Sequence, residues 1–281
     1  MAVVATGFFD GVHLGHRHVI EALVSTARER GEESIVITFW PHPRAVLQKG
    51  ARDLRLLSSQ ESKIAMIKEL GVDRVEVLPF NPSFAALTAE EYLKDIVLGR
   101  FGGTAMVIGY DNRIGSDDLS CNELVPLANS LGIQIIRLDA VGLVSSTQIR
   151  LSLAEGNVER ANAMLGYHYF LNGVVVGGKQ LGRTIGFPTA NMSLYNPLKM
   201  VPMHGVYASE VVVGFRRLRG MTNIGNVIET HIFDFDADIY SLDIKVYFLR
   251  RIRDEKNFSS VEELKAQLLQ DKQLIESMSF D

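Results

Sequence analysis

Short β-branched runs alternate, over the first half of the chain, with stretches in which apolar residues recur every three or four positions. Val3 to Thr6, Ile35 to Phe39, Arg74 to Leu78, Ala105 to Gly109 and Gln134 to Leu138 read as strands. Val19, Ile20, Leu23, Val24 and Ala27 fall on one face of a helix, and Gly31 stands where a left-handed C-cap would end it. Ser58 with Glu61 and Thr88 with Glu91 have capping-box spacing and predict two further helix starts. Strands separated by helices form a parallel sheet with helices on both faces.

The pattern changes near Gly166. Phe170 to Val176, Val206 to Val213, Ile228 to Phe233 and Ile244 to Leu249 follow one another with turn residues between them and no room for crossover helices. Such runs pair antiparallel, as in a small barrel. Ser259 with Glu262 predicts a last helix with Val261, Leu264 and Leu268 on one face. Residues 146–165 read as helical with a break at Gly156, a hinge between the halves. The expectation is therefore an α/β chain of two domains, residues 1–165 and 166–281.

Length and composition agree with that division: 281 residues suit two domains, and 47% apolar with 22% charged residues excludes disorder or fibre as the main state. A net charge of −4 gives no long-range field to hold a polyanion, so nucleic acid is not expected as the principal partner. Cys121 is the single cysteine, which excludes an internal disulfide. Met1 runs straight into the strand-like Ala2 to Ala5 with no charged leader or long apolar run. A soluble, cytoplasmic protein is expected, with no membrane partner, as a monomer or weak homo-oligomer.

The densest chemical signal is Gly7-Phe8-Phe9-Asp10-Gly11-Val12-His13-Leu14-Gly15-His16, between the first strand and the first helix. A helix N-terminus at the carboxyl end of a strand offers free N–H groups to a phosphate, and H-x-G-H adds two imidazoles there. His16, at the helix start, is expected to be solvent-reachable. The string is neither a dinucleotide fingerprint nor a Walker loop. A turn whose histidines satisfy local backbone groups is the plainer alternative.

In the second half, Gly177 to Thr184 nearly spells a Walker loop with Arg183 at the lysine position, but Gly186 and Pro188 argue against an immediate helix. A glycine-rich basic loop remains, followed by Thr189 and Asn191, hard oxygen ligands suited to Mg²⁺. Alternation puts Glu229 and His231 on one face of a strand, where a carboxylate could take a proton from an attacking hydroxyl; a solvated strand residue is the alternative.

GFFDGVHLGH, with Ser145-Ser146-Thr147-Gln148-Ile149-Arg150 at the far end of the same domain, resembles the nucleotidyltransferase module of bifunctional prokaryotic riboflavin kinase/FAD synthetases. Gly186-Phe187-Pro188-Thr189-Ala190-Asn191 and Glu229-Thr230-His231 resemble the riboflavin kinase module. The resemblance implies a Rossmann-like nucleotidyltransferase domain followed by a kinase barrel. Its activities would be ATP-dependent phosphorylation of riboflavin to FMN and adenylylation of FMN to FAD, with Mg²⁺ at both sites.

By resemblance, His13, His16, Ser146, Thr147 and Arg150 handle ATP phosphates, with Gly7, Phe8, Asp10, Gly15 and Ser145 around them. Two hydroxyls and an arginine one turn into a helix also make an anion site on physical grounds, although Ser145 to Thr147 would equally serve as an N-cap. Pro41-His42-Pro43 resembles the loop beside nucleotide and flavin, and a histidine between prolines also suits a rigid turn. Gly109 and Asp111 match ribose and base contacts. In the barrel, Gly178, Lys179, Gly182, Arg183, Gly186 and Pro188 match the nucleotide loop, Thr189 and Asn191 the metal ligands, Glu229 the base, and Arg253 and Phe258 the flavin side.

The chain departs from the family pattern in two places: residues 112–118 replace a longer glycine-rich run, and Asn226 joins Val227-Ile228-Glu229 without the usual Pro-Thr loop. A nucleotidyltransferase for another phosphate substrate and a flavin-binding regulator without catalysis are the competing readings.

Overall fold

The computed structural model describes residues 1–47, 53–110, 112–178 and 181–279; Asp111 and Lys179, two expected ligand contacts, lie outside the described residues. The chain divides into two compact units, Met1–Ser146 and Thr147–Asp281.

In the first unit β1 (Ala2–Thr6), β2 (Glu33–Trp40), β3 (Arg74–Pro79), β4 (Gly103–Ile108) and β5 (Gln134–Arg137) form a parallel sheet in the order β3-β2-β1-β4-β5. All five expected strands are present. β1 lies in the middle and every one of its residues is buried, which is why AVVAT does not alternate. From β1 the chain builds outward through β2 and β3, then returns to the other side of β1 with β4. The crevice at the carboxyl ends of β1 and β4 is thus the switch point at which open α/β sheets take ligands.

The helix Leu14–Arg30 buries Val19, Ile20, Leu23, Val24 and Ala27 and ends at Gly31, whose φ of 64° lets its amide turn back to the carbonyls of Ala27 and Arg28. The capping box at Thr88 and Glu91 forms, and the helix it opens widens into π-helical turns over Tyr92–Arg100. The one expected at Ser58 does not. Ser59 caps the helix Gln60–Glu69 instead, because the Ser58 hydroxyl is drawn away to the buried carboxylate of Asp10. The short connection after β4 is pinned rather than open: Ile114 enters the core, Ser116 N–H donates to Leu87 O at 2.8 Å, and Ala89 N–H donates to Asp117.

The helices Ser146–Ala154 and Val158–Leu165 are broken at Gly156, which adopts φ 76°. In the second unit β6 (Phe170–Val176), β7 (Ala190–Leu194), β8 (Gly205–Val213), β9 (Arg216–Ile224), β10 (Ile228–Ile232) and β11 (Asp243–Arg253) close an antiparallel barrel in the order β10-β7-β6-β11-β8-β9.

Two of these strands were not foreseen. β7 is short and carries an exposed serine, while β9 opens on the exposed Arg216, Arg217 and Arg219 before its buried half begins at Gly220. Between β9 and β10 the chain turns tightly, with Gly225 N–H on Val227 O and Ile228 facing Ile224, so Asn226 sits in a compact hairpin.

Two further expectations are corrected. A helical turn does form at Leu181–Thr184; Gly186, at φ 86°, ends it rather than preventing it. The last helix, Val261–Ser277, is capped by Ser260 and not Ser259, and its first residue Val261 stays 47% exposed, being ahead of the turn that reaches the barrel. Leu264 and Leu268 do pack on the barrel's outer face, against a cluster of Ile185, Phe187, Met221 and Leu249.

Candidate active sites

The Gly7 to His16 turn leaves β1 at the switch point. Its backbone winds left-handed at Phe9 (φ 53°), Gly11 (φ 81°) and Val12 (φ 39°), which is costly for two side-chain-bearing residues. The carboxylate of Asp10 holds this shape from behind. It is buried and accepts the N–H groups of Leu57 and Ser58, each at 3.0 Å, while Gly11 N–H donates to Ser58 Oγ at 3.0 Å. Gly7 leaves just enough room for the Phe9 ring, 3.1 Å from where a Cβ would stand.

His13 is the N-cap of the following helix, its Nδ1 accepting from His16 N–H at 3.3 Å. That bond fixes the neutral His13 tautomer with its proton on Nε2. The two imidazoles stack, with centroids 3.6 Å apart and planes at 16°. His16 is half-buried: its Nδ1 is buried without a hydrogen-bond partner, with His13 stacked on the ring and the edge of Phe9 at 5.2 Å, while the residue as a whole keeps partial exposure. Burial first, then the neighbouring His13 and Lys63, hold its pKa well below the usual imidazole range.

Ser146 Oγ donates to Asp10 O at 3.1 Å, joining the start of the S-S-T segment to the turn. Ser145 is half-buried beside it, and Thr147 and Arg150 follow in the first turns of the helix Ser146–Ala154. The His42 ring lies 4.1 Å from that of Phe8, and its Nδ1 accepts from Arg44 N–H. Gly109 ends β4, and beyond it Asn112 Nδ2 donates to Thr6 O at 3.2 Å, bridging the two strands of the crevice. Gly15 sits half-buried at the first turn of the helix.

One residue of this unit was missed. Lys63 is 1% exposed; its Nζ donates to Phe8 O and Thr38 Oγ1, both at 2.9 Å, and lies 3.9 Å over the Phe8 ring. Its only sequence signal is phase, since it shares the buried helix face with Met66 and Ile67.

In the barrel, strand register aligns Val206, Asn223, Glu229 and Asn191 across β8, β9, β10 and β7. Glu229 and His231 line a cavity of about 310 Å³ with Thr189, Arg253, Phe258 and the helix residues Leu264 and Leu268. A second cavity, about 210 Å³, is lined by Arg183, Pro188 and Thr189 together with residues 235–240. Thr189 borders both.

The Asn191 side chain lies so close to Gly178 that a Cβ there would collide with it, and a Cβ on Gly182 would meet Phe187 O. Those two glycines are required by close approach. His231, its pKa lowered chiefly by burial, donates from Nδ1 to Pro188 O at 2.8 Å and so fixes the strand's proline corner. Arg253 makes a bidentate pair with the buried Asp271 of the last helix, at 2.9 and 2.7 Å, and lies 5.9 Å from the Phe258 ring. Gln267 completes the carboxylate's coordination at 2.9 Å.

Comparison with known proteins decides the family. Residues 1–152 match the FAD synthetase family model and residues 165–279 the riboflavin kinase model. The bifunctional riboflavin kinase/FMN adenylyltransferase of Bacillus subtilis is 36% identical over 288 positions, covering 97% of this chain and 90% of its own. The chain belongs to the bifunctional riboflavin kinase/FMN adenylyltransferase family.

The Escherichia coli K12 member is 34% identical over 96% of the chain and 90% of its own length. A Streptococcus pneumoniae crystal structure named as a macrolide-efflux protein shares the fold at a TM-score of 0.93, with 33% identity over 99% of this chain and 94% of that one. Among the described residues no helix is long and apolar enough to cross a membrane.

Proposed function

We propose that this bifunctional riboflavin kinase/FMN adenylyltransferase makes FMN in the barrel and FAD in the parallel-sheet unit. In the barrel the riboflavin 5′-hydroxyl attacks the γ-phosphorus of ATP. The new O–P bond forms as the bond to ADP breaks, and Glu229 takes the hydroxyl proton. The flavin occupies the cavity bordered by Glu229, Arg253 and Phe258. The nucleotide occupies the one bordered by Arg183, with Gly178, Gly182, Gly186 and Pro188 shaping its loop. Thr189, on the border of both, marks the point of transfer.

A Mg²⁺ ion fits these donors as a companion of the nucleotide. Among the described residues no cluster of three or more His, Cys, Asp or Glu side chains forms a protein cage, whereas Thr189 and the pinned Asn191 offer hard oxygens to a metal otherwise held by phosphates. When bound, it would neutralise phosphate charge.

In the sheet unit an FMN phosphate oxygen attacks the α-phosphorus of ATP and pyrophosphate leaves. No base is needed, because the nucleophile is already an anion. His13 presents Nε2–H, His16 an imidazole that the incoming triphosphate favours in its protonated form, and the turn its backbone N–H groups. Ser146, Thr147 and Arg150 are assigned to phosphate contact and Gly109 to the nucleoside by family resemblance. Use of ATP suits the cytoplasmic setting expected from the sequence.

The observation that carries this reading is that each unit holds its own glycine-containing turn beside its own crevice or cavity. Incubation with riboflavin, ATP and Mg²⁺, followed by chromatographic separation of flavins, is expected to yield FMN and then FAD. FMN alone, or neither product, would overturn the corresponding half.

A further inference from the structure

We propose that Thr230, between Glu229 and His231 on β10, is a nucleotide-binding residue of the barrel unit, its hydroxyl held as a hydrogen-bond donor to an acceptor atom of ATP by two buried hydroxyls behind it. The proposal rests on the reading of the cavity bordered by Arg183 as the nucleotide site.

Three hydroxyls meet in the barrel, one from each of β8, β9 and β10. Ser209 Oγ lies 2.8 Å from Thr222 Oγ1, which lies 2.9 Å from Thr230 Oγ1. Thr222 and Thr230 face each other in the register of β9 and β10, and Ser209 stands diagonal to Thr222 across β8 and β9. None of the three residues is more than 1% exposed. Among the described residues their hydroxyls have no further hydrogen-bond partner.

Counting protons gives this chain a direction. Three hydroxyls bring three protons to two bonds, so one proton is left over. It stays on Ser209 if Thr230 donates to Thr222 and Thr222 to Ser209, and on Thr222 if both neighbours donate to it. It stays on Thr230 if Ser209 donates to Thr222 and Thr222 to Thr230. The first two arrangements strand an O–H group in the closed wall, where a donor without an acceptor is costly.

Of the three residues, Thr230 alone borders either of the two cavities described above, and it lines the one shared by Arg183, Thr189, Ala190 and Tyr240. The third arrangement is therefore favoured, and each bond in it polarises the next, which strengthens the Thr230 donor. In register Thr230 lies opposite Ala190, between Thr189 and Asn191. Strand alternation thus turns Glu229 to the flavin cavity and Thr230 to the nucleotide cavity. A nucleotide, with oxygens and ring nitrogens that accept, completes the chain.

The test measures total FMN plus FAD formed from riboflavin by the full chain as Mg-ATP is varied, with FAD formation from supplied FMN as the control for the other unit and melting recorded in parallel. Thr230→Val keeps the shape and removes the donor. Its KM for ATP is expected to rise about five- to tenfold with kcat little changed, and Thr230→Ser to restore it. Thr222→Val breaks the same chain but leaves the Thr230 proton free, so it is expected to lower melting while KM for ATP stays within about twofold of wild type. A wild-type KM in Thr230→Val, or an equal rise in both valine variants, would overturn the proposal while leaving the kinase reading intact. No FMN from wild type would overturn both. If Thr230→Val does not fold because it orphans the Thr222 hydroxyl, the double variant lacking both hydroxyls is compared with Thr222→Val. The same rise in KM is expected there, and its absence overturns the proposal.

Discussion

Phe9 and Val12 occupy left-handed backbone that costs a side-chain-bearing residue about 1–3 kcal/mol, and they do so in the turn proposed to bind phosphate. The strain persists because both side chains are buried and Asp10 pins the chain on either side of it. The same crowding shapes His16. Its neutral form is favoured in the fold, so its contribution to stability is complete above about pH 6.5 and is lost as pH falls through the interval below, where the unfolded chain binds the proton and the fold does not. Melting of the parallel-sheet unit is therefore expected to drop between pH 6.5 and 5, and His16→Gln to flatten that drop while lowering FAD formation about 10²-fold. A variant with the wild-type slope would assign the acid sensitivity elsewhere. H-x-G-H was legible from spacing alone, whereas Lys63 was not: a lysine on an amphipathic helix reads as solvated until a buried carbonyl, hydroxyl and ring are found around it.

Strands and helices were legible where the periodicity of the chain reflects burial on one side. The five parallel strands stand where β-branched runs predict them, and Gly31 ends its helix for the reason a glycine there suggests. β9 escaped because its first half extends arginines into solvent, and β7 because a five-residue strand after a proline has too little alternation to detect. The pairing of Arg253 with Asp271 joins β11 to the last helix across 18 residues, a distance at which sequence pattern carries no information. Arg253 was expected beside the flavin, and this bidentate bond shows what fixes its orientation. Asp271→Asn leaves a nearly buried guanidinium without its counter-charge, which is expected to destabilise the barrel unit by about 3 kcal/mol. FMN formation should fall through misplacement of Arg253 and the helix, while FAD formation from supplied FMN continues. Unchanged melting of the barrel unit would show that Gln267 and solvent suffice to replace the carboxylate.

Two compact units, each matching its own family model, are expected to carry activities that can be removed one at a time. Glu229 is the sharpest point at which to try. It stands on a short strand hydrogen-bonded on both sides, opposite Asn191 on β7 and Asn223 on β9, so its position is set by the barrel rather than by a loop. The riboflavin hydroxyl is a poor nucleophile near neutral pH, and a fixed carboxylate that accepts its proton during attack contributes about 10²–10⁴-fold. Glu229→Gln keeps the shape and the hydrogen-bonding capacity of the side chain and removes only its basicity. FMN formation from riboflavin is therefore expected to collapse by that factor, and FAD formation from supplied FMN to persist at the wild-type rate, with both melting transitions in place. Kinase activity retained in Glu229→Gln would remove Glu229 from proton transfer. Loss of both activities would instead mean that this carboxylate supports the fold on which the two sites depend.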